Sequence, residues 1–323
     1  MGAKNLLSTK PLWWGIAATV ILFVVAVVVP LFGFILGLLT MVPAIYLSRK
    51  SENHWVAFQI VLAASLLIML VFRNLGPALG YLIEYGVPTV SLAVVARKKA
   101  GPLSILAQGS AIGALMIVAA IFFYAVLVER SPVEMLQQAF QANLELVSSV
   151  YRQMGVADEQ LATLTDSAKI LAHWVGMLFP ALIFASYFML NGLTMVVVTV
   201  VGRYRQTAID WGKGRPFAEF AVFPQLVWAL IGCWMAILLL PDLPEVVNFV
   251  IYNCTFILFL FYFIQGLAII HYYLDFFQVG FGGRFFIFFM LFAFLFLLLA
   301  VVVIGLFDLW VDFRRFVPRE TED

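Results

Sequence analysis

The sequence is poor in charged side chains and in cysteine. Asp, Glu, Lys and Arg make up 11% of the 323 residues, whereas a soluble domain usually carries about 25%. A soluble domain needs such residues to cover its surface, so their shortage excludes a soluble catalytic domain of ordinary composition. Both cysteines, Cys233 and Cys254, lie inside apolar runs, and we interpret them as small buried hydrophobic residues rather than as a disulfide or a metal pair.

Sequence motifs for several kinds of chemistry are also missing. Neither GxxxxGKS nor GxxxxGKT occurs, so the chain has no P-loop for ATP. The patterns HExxH and GxSxG are absent as well, and His54, His173 and His271 show no metal-ligand spacing. We therefore expect the protein not to be an enzyme, and we predict no catalytic residue, no metal and no cofactor. A net charge of +1 gives no indication of nucleic-acid binding.

The sequence instead contains long apolar runs, and 64% of its residues are apolar. A run of about 20 apolar residues crosses the hydrocarbon core as a helix, because lipid offers no partner for free backbone groups. The runs cover residues 12–29, 31–48, 54–72, 76–96, 103–128, 170–202, 224–240, 246–273 and 284–310. They predict an all-α, polytopic transmembrane helix bundle of about eight or nine membrane segments, built as a single integral membrane domain over residues 1–323.

The basic residues cluster at the ends of alternate runs and therefore predict the topology. They are Lys4, Lys10, Arg49, Lys50, Arg97, Lys98, Lys99, Arg203, Arg205, Lys213 and Arg215. Loops rich in Lys and Arg stay in the cytoplasm, so the N-terminus should lie inside. Nine full crossings would leave Arg314 and Arg315 outside, so either one segment does not cross or the rule fails at that end. The short second segment is one candidate, although the basic loops on both sides of it argue for a crossing.

Two stretches outside the apolar runs are long enough to hold structure. Residues 131–168 should form an extracytoplasmic amphipathic helical insertion, because Ser131-Pro132-Val133-Glu134 is a capping box with proline at the first helical position. That helix either lies on the outer membrane face or forms a lid over an outward cavity. The basic and aromatic stretch 203–224 is typical of a segment that touches anionic lipid, with docking of a partner protein as the alternative.

The fourth segment holds the strongest candidate for a site. Gly76, Gly80, Glu84 and Pro88 are four residues apart and should share one helix face, where glycines allow a neighbouring helix to approach closely. An ionisable residue at that depth is a functional candidate. Because no apolar segment carries Lys or Arg in its interior, we expect Glu84 to be protonated or to meet a bound cation or a ligand amine. A structural carboxyl group is the alternative.

Other polar residues inside the segments could line a cavity with Glu84. The predicted ligand-binding set is Glu84, Gln108, Asn191, Asn253 and Gln265. Such a cavity would suit a small polar or aromatic ligand, unless these side chains only connect helices through hydrogen bonds. Asp308, Asp312 and Arg315 share a face by helical spacing and predict an interfacial ion cluster. Two carboxylates could instead hold Mg²⁺ for diphosphate chemistry, but the upstream element of those transferases is missing.

The chain resembles the YybS-like family of bacterial membrane proteins over nearly its whole length, and most specifically in its last third. The resemblance is carried by Asn253, by Ile264 to Tyr272, by Gly305 to Asp308 and by Asp312 to Arg315. That family is distantly similar to the substrate-binding S components of energy-coupling-factor transporters and to the rod-shape protein MreD.

The resemblance implies a multi-pass protein of a bacterial inner membrane that binds a small solute like an S component. Such a protein has no ATPase of its own and would need a separate energising partner as well as membrane lipids. A non-enzymatic scaffold is the alternative that the resemblance also implies, and an enzyme acting on lipid is a third.

Overall fold

The computed structural model describes residues 9–153, 158–214, 216–240 and 242–316. Helices make up nearly all of this part of the chain, and within it the only β-type pairing is an isolated bridge between Ala100 and Gly212. The predicted all-α polytopic fold is thereby confirmed. Contacts divide the chain into two compact units, Met1–Glu129 with Ile183–Gly214 and Arg130–Leu182 with Arg215–Asp323.

The helices follow the apolar runs closely. Those before residue 130 are α1 (Thr9–Val28), α2 (Pro30–Leu39), α3 (Val42–Lys50), α4 (Trp55–Phe72), α5 (Leu75–Tyr81), a π-helical turn (Leu82–Gly86), α6 (Val87–Ala96) and α7 (Pro102–Leu127). The later ones are α8 (Pro132–Gln153), α9 (Asp158–Tyr204), α10 (Leu226–Leu239), α11 (Glu245–Phe276), α12 (Phe281–Ala293) and α13 (Leu295–Val311). Residues 158–182 of α9 belong to the second unit and residues 183–204 to the first.

The predicted count of eight or nine membrane segments is too high. Six helices of the described chain are long and apolar enough to cross a membrane, and the bent pair α12–α13 could add a seventh. The second run falls short because a turn at Thr40–Met41 divides it into α2 and α3. The seventh run yields only the 14 residues of α10, fewer than a straight crossing needs.

One end of the first unit gathers three of the basic stretches. Arg49, at the end of α3, donates a hydrogen bond of 3.0 Å to the Ala96 carbonyl at the end of α6 and another to the Asp210 carbonyl. Lys99 pairs with Asp210 at 3.0 Å. Hydrogen bonds from the Gly212 N–H and then from Lys99 hold the pKa of Asp210 below its ordinary value. This shared end is what the positive-inside rule requires of loops on one membrane side, while Lys4 and Arg215 lie outside the described residues.

Helices α11 and α13 of the second unit pack side by side in the same direction. Gln265 of α11 donates to Asp308 of α13 at 2.9 Å, and farther along both helices the Tyr273 hydroxyl donates to the Phe313 carbonyl at 2.7 Å. Parallel neighbours need a return segment between them, and α12 supplies it with a bend of 103° before α13. The ninth run therefore starts and finishes at the same end of α11.

This arrangement bears on the conflict at the C-terminal basic pair. Arg314 donates to the carbonyls of Ala218 at 3.0 Å and Phe220 at 2.8 Å, in the loop that follows the basic stretch 203–214. A hairpin formed by α12 and α13 would keep Arg314 on the side of that loop, whereas a full crossing would not. A ninth run that does not cross would therefore keep Arg314 and Arg315 on the cytoplasmic side.

Cysteine labelling should show residue 145 outside the cell and residues 213 and 316 in the cytoplasm. In a variant that lacks Cys233 and Cys254, a cysteine at Glu145 should react with a membrane-impermeant maleimide in intact cells. Cysteines at Lys213 and Phe316, both on exposed residues, should react only after permeabilisation, because their basic neighbours stay in the cytoplasm. Reaction of position 316 in intact cells would show that α12 and α13 form a crossing.

Candidate functional site

A π-helical turn, Leu82–Gly86, interrupts the span Leu75–Ala96 and contains the candidate site residue Glu84. The Val87 N–H bonds to the Leu82 carbonyl, five residues back, rather than to Ile83. The next donor along the ladder would be Pro88, which has no N–H. The Ile83 carbonyl is thus left without a helical donor, and the Tyr187 hydroxyl of α9 donates to it. π-turns of this kind occur often at functional sites.

Glu84 sits on this turn, near the middle of the 22-residue span. Its carboxylate accepts a hydrogen bond of 2.7 Å from the Tyr85 hydroxyl. The reason given from sequence for its position does not hold, because the extra residue of a π-turn ends the four-residue spacing with Gly76 and Gly80. A Cβ at Gly80 would meet nothing within 4 Å, so these glycines form no close helix contact.

Glu84 is exposed rather than enclosed between helices as predicted, and it lies at the edge of an open cavity of about 460 Å³ within the first unit. The residues that line it are Phe23, Ala26, Val27, Gly33, Leu38, Glu84, Tyr85, Ser186, Tyr187, Met189 and Leu190. The volume lies in the range of small-molecule sites, which are mostly apolar with a few placed polar groups. Among these lining residues Glu84 is the one with an acidic or basic side chain.

Two glycines make room for the two tyrosines of the cavity. A Cβ at Gly37 of α2 would lie 2.6 Å from the Tyr85 hydroxyl oxygen, and a Cβ at Gly113 of α7 would lie 3.0 Å from the Tyr187 ring. Both distances are too short for ordinary packing, so each tyrosine occupies space that only glycine leaves free. The backbone therefore fixes where these hydroxyl groups stand.

The other predicted residues of the first unit do not line this cavity. Gln108 is exposed and donates a hydrogen bond of 2.8 Å to the Ser104 hydroxyl. Asn191 is fully buried and donates to the Ser110 hydroxyl at 3.0 Å. Its side-chain oxygen has no hydrogen-bond partner in the described part of the chain.

Asn253 supports the backbone of α9 in the second unit. Its side-chain oxygen accepts from the Ala181 N–H at 2.9 Å, and its nitrogen donates to the Met177 carbonyl at 2.7 Å. An unbroken helix would pair these two groups with each other, and Pro180 lies between them. A proline inside a helix displaces the preceding turn, so the Asn253 amide bridges the ladder where Pro180 weakens it.

An exchange of Asn253 should test this bridging role. Asn253→Leu should destabilise the second unit by about 1–3 kcal/mol, because buried backbone groups lose a partner. If Pro180→Ala is added, the ladder can close by itself and part of the loss should return. Thermal unfolding of the two single variants and the double variant in detergent measures this coupling. Purely additive effects would contradict a bridge between Asn253 and the proline break.

Gln265 and Asp308 belong to one buried network in the second unit. Gln265 accepts from the Val222 N–H at 2.9 Å and donates to Asp308 at 2.9 Å. Arg314 pairs with the same carboxylate at 3.0 Å, and the Phe313 N–H donates to it at 2.9 Å. This network joins the loop before α10 to α11 and α13.

The ion cluster predicted from Asp308, Asp312 and Arg315 is divided in the structure. Helix α13 ends at Val311, and Asp312 takes a left-handed backbone conformation, so helical spacing no longer applies beyond it. Asp312 and Arg315 form a separate exposed pair at 3.9 Å. The partner that sequence spacing missed is Arg314.

Two tyrosines of the site were also missed as site residues. Pro88 was the available signal, because a proline four residues after Glu84 leaves a carbonyl that needs a donor from elsewhere. No sequence pattern, however, identifies Tyr187 as that donor, since it lies 104 residues after Ile83.

Comparison with known proteins identifies one family. The model of a family described as predicted membrane protein (DUF2232) matches residues 17–309 of the chain. No curated protein and no solved structure matches the chain.

Proposed function

The chain belongs to this family of predicted membrane proteins, and we propose that it binds a small solute in the cavity of its first unit as part of a transport system. The observation that carries the proposal is the position of Glu84 on the wall of a cavity of about 460 Å³ in the middle of an apolar span. A carboxylate at such a depth is costly and is usually kept for a function.

The proposed role is that of a substrate-binding component, similar to an S component. The sequence has no P-loop, so a separate energising protein would drive transport, with membrane lipids around both. The proposed location is a bacterial inner membrane with a cytoplasmic N-terminus, and the meeting of basic stretches at one end of the first unit supports this orientation.

A non-enzymatic membrane scaffold is the second candidate. The observation in its favour is the use of the polar residues in the second unit. Asn253, Gln265 and Asp308 are all engaged in hydrogen bonds that join segments of the chain. Polar groups used in this way stabilise a bundle and leave no ligand site of their own.

Substitution of Glu84 separates the two candidates. Glu84→Gln should keep the fold, because the amide has the same size and can still accept from Tyr85, yet it should abolish retention of a small molecule by the purified protein. Native mass spectrometry detects such a molecule, and thermal unfolding reports the fold. Glu84→Leu should also lose stability, because the Tyr85 hydroxyl is left without its acceptor.

A steric variant provides an independent check. Ser186→Phe should fill part of the cavity and expel the bound molecule. Val196→Phe is the matched control, since Val196 lies on the same helix, is 61% exposed and does not line the cavity. Equal retention of a molecule by Ser186→Phe, Glu84→Gln and the parent protein would contradict a solute site here and favour the scaffold.

A further inference from the structure

We infer that the cavity selects a hydrogen-bond-donating ammonium group carried on an apolar body. The inference rests on the proposed function and names the ligand class for the same site. The hydroxyl protons around Glu84 are already engaged in hydrogen bonds within the protein, and this limits which ligands can bind.

The hydroxyl groups of the two tyrosines, Tyr85 and Tyr187, both donate hydrogen bonds within the protein. Tyr187 donates to the Ile83 carbonyl, and a carbonyl oxygen can only accept. Tyr85 donates to Glu84 at 2.7 Å, and an ionised carboxylate likewise only accepts. Each hydroxyl has one proton, so neither can donate to a ligand while these bonds stand.

Apart from the Ser186 hydroxyl, which can also donate, the lining side-chain atoms left for a ligand are therefore acceptors. They are the second carboxylate oxygen of Glu84, which has no donor in the described part of the chain, and the lone pairs of the two tyrosine oxygens. Ser186 is the remaining lining hydroxyl. A negative site of acceptors complements a cation with N–H donors, whereas an anion would meet the Glu84 charge and too few donors.

The remaining residues that line the cavity indicate what kind of body the ligand has. Phe23, Val27, Leu38, Met189 and Leu190 are apolar, so a body rich in hydroxyl groups would lose its hydration without compensation. The aromatic rings of Phe23 and the tyrosines also suit a cation at their faces. An amine with an aliphatic or aromatic body fits these surfaces.

A primary ammonium group can reach the site from two sources, and in the second an anionic phosphate follows two carbons after the ammonium and would have to stay outside the cavity. One is a free organic amine, and the other is the headgroup of phosphatidylethanolamine in the surrounding membrane. Both present the same N–H donors to Glu84, so the experiment must separate them. Phosphatidylcholine serves as the control lipid, because its trimethylammonium group has the charge but no N–H.

The test uses the full chain in phosphatidylcholine nanodiscs and four probes that share a phenylethyl body. Phenethylammonium carries N–H donors, its N-trimethyl analogue keeps only the charge, phenethyl alcohol is neutral and 3-phenylpropionate is an anion. Calorimetry or thermal shift should show binding of phenethylammonium at least about 10-fold tighter than that of the other three, since hydrogen bonds to a charged group contribute this much.

Variants and lipids complete the test. Glu84→Gln should weaken phenethylammonium binding by about 10- to 100-fold, Ser186→Phe should abolish it and Val196→Phe should leave it unchanged. Competition in nanodiscs that contain phosphatidylethanolamine would identify the lipid headgroup as a source, and equal binding in both lipids would identify a free amine.

Three results would overturn the inference. They are equal or tighter binding of the trimethyl analogue, preference for the alcohol or the anion, and no binding of any probe. If a molecule retained by the parent protein is lost in Ser186→Phe but proves not to be an amine, the proposed solute site stands and only the ligand class is wrong. If nothing depends on Ser186 or Glu84, the proposed function fails with it.

Discussion

Replacing Gly305 by alanine should prevent α13 from assembling against α11 and should cause the largest loss of stability of any single exchange considered. A Cβ at this position would overlap the Tyr262 carbonyl oxygen and lie 2.8 Å from the Gly266 nitrogen. Both atoms belong to the backbone, so no side chain can move aside. Overpacking of an ordinary core costs about 1–3 kcal/mol, and a clash between two backbones should exceed that range.

Gly266 makes the same contact from the other helix. A Cβ there would overlap the Val301 carbonyl oxygen, so Gly266→Ala should be nearly as damaging. Gly232→Ala in α10 is the matched control, because a Cβ at Gly232 would meet nothing within 4 Å. Size-exclusion profiles and thermal unfolding in detergent should show loss of folded protein for the first two exchanges only. A melting temperature near that of the parent for Gly305→Ala would refute the close packing of these helices.

Asp308→Asn should destabilise the second unit by about 3–5 kcal/mol, the usual cost of removing one partner from a buried ion pair. The Asp308 side chain is 4% exposed and that of Arg314 is 16% exposed. Three donors converge on this carboxylate, from Gln265, Phe313 and Arg314. An amide would present its own N–H₂ to one of them and leave the Arg314 charge uncompensated.

The exposed pair provides the comparison for this prediction. Asp312 and Arg315 are 3.9 Å apart, with side chains that are 52% and 78% exposed, so Asp312→Asn should cost less than about 1 kcal/mol and should keep cellular function. Denaturation of Asp308→Asn and Asp312→Asn under the same conditions measures the two losses in free energy of unfolding for direct comparison. Losses of similar size would show that the Asp308 pair is not desolvated as described.

Arg314 extends the same argument to the loop before α10. Its guanidinium group binds the Asp308 carboxylate and two loop carbonyls at once, a planar pattern that lysine cannot reproduce. The buried network thus links a loop and two helices through a single side chain. This explains why the effect of Asp308→Asn should spread beyond α13.

The sequence was sufficient to predict the helical membrane fold but not the number of complete spans. Hydropathy identifies an apolar run, whereas turns such as Thr40–Met41 and bends such as the one before α13 depend on local geometry that average hydropathy does not detect. Capping chemistry is more local, and α8 begins at Pro132, the residue that the capping box placed at the first helical position.

The candidate site was predictable in part. Glu84 stands out in any reading because it is charged and lies mid-span, but its surroundings depend on a π-turn that the four-residue spacing cannot reveal. The roles of Asn253 and Gln265 depend on partners 72 and 43 residues away. Such pairings arise from tertiary packing, and a single sequence contains no pattern that specifies them.

The position of Asn253 makes the hydrogen bonding of α9 depend on a later segment of the chain. Helix α9 leaves the ribosome before α11, and Asn253 lies 72 residues after Ala181. Until α11 enters the membrane, the peptide groups beside Pro180 lack the amide that completes their hydrogen bonding, at a place where lipid provides no substitute. Helix α9 therefore completes its hydrogen bonding at Pro180 only when α11 packs against it. The stability of α9 at Pro180 thus depends on a residue that is synthesised 72 positions after Ala181.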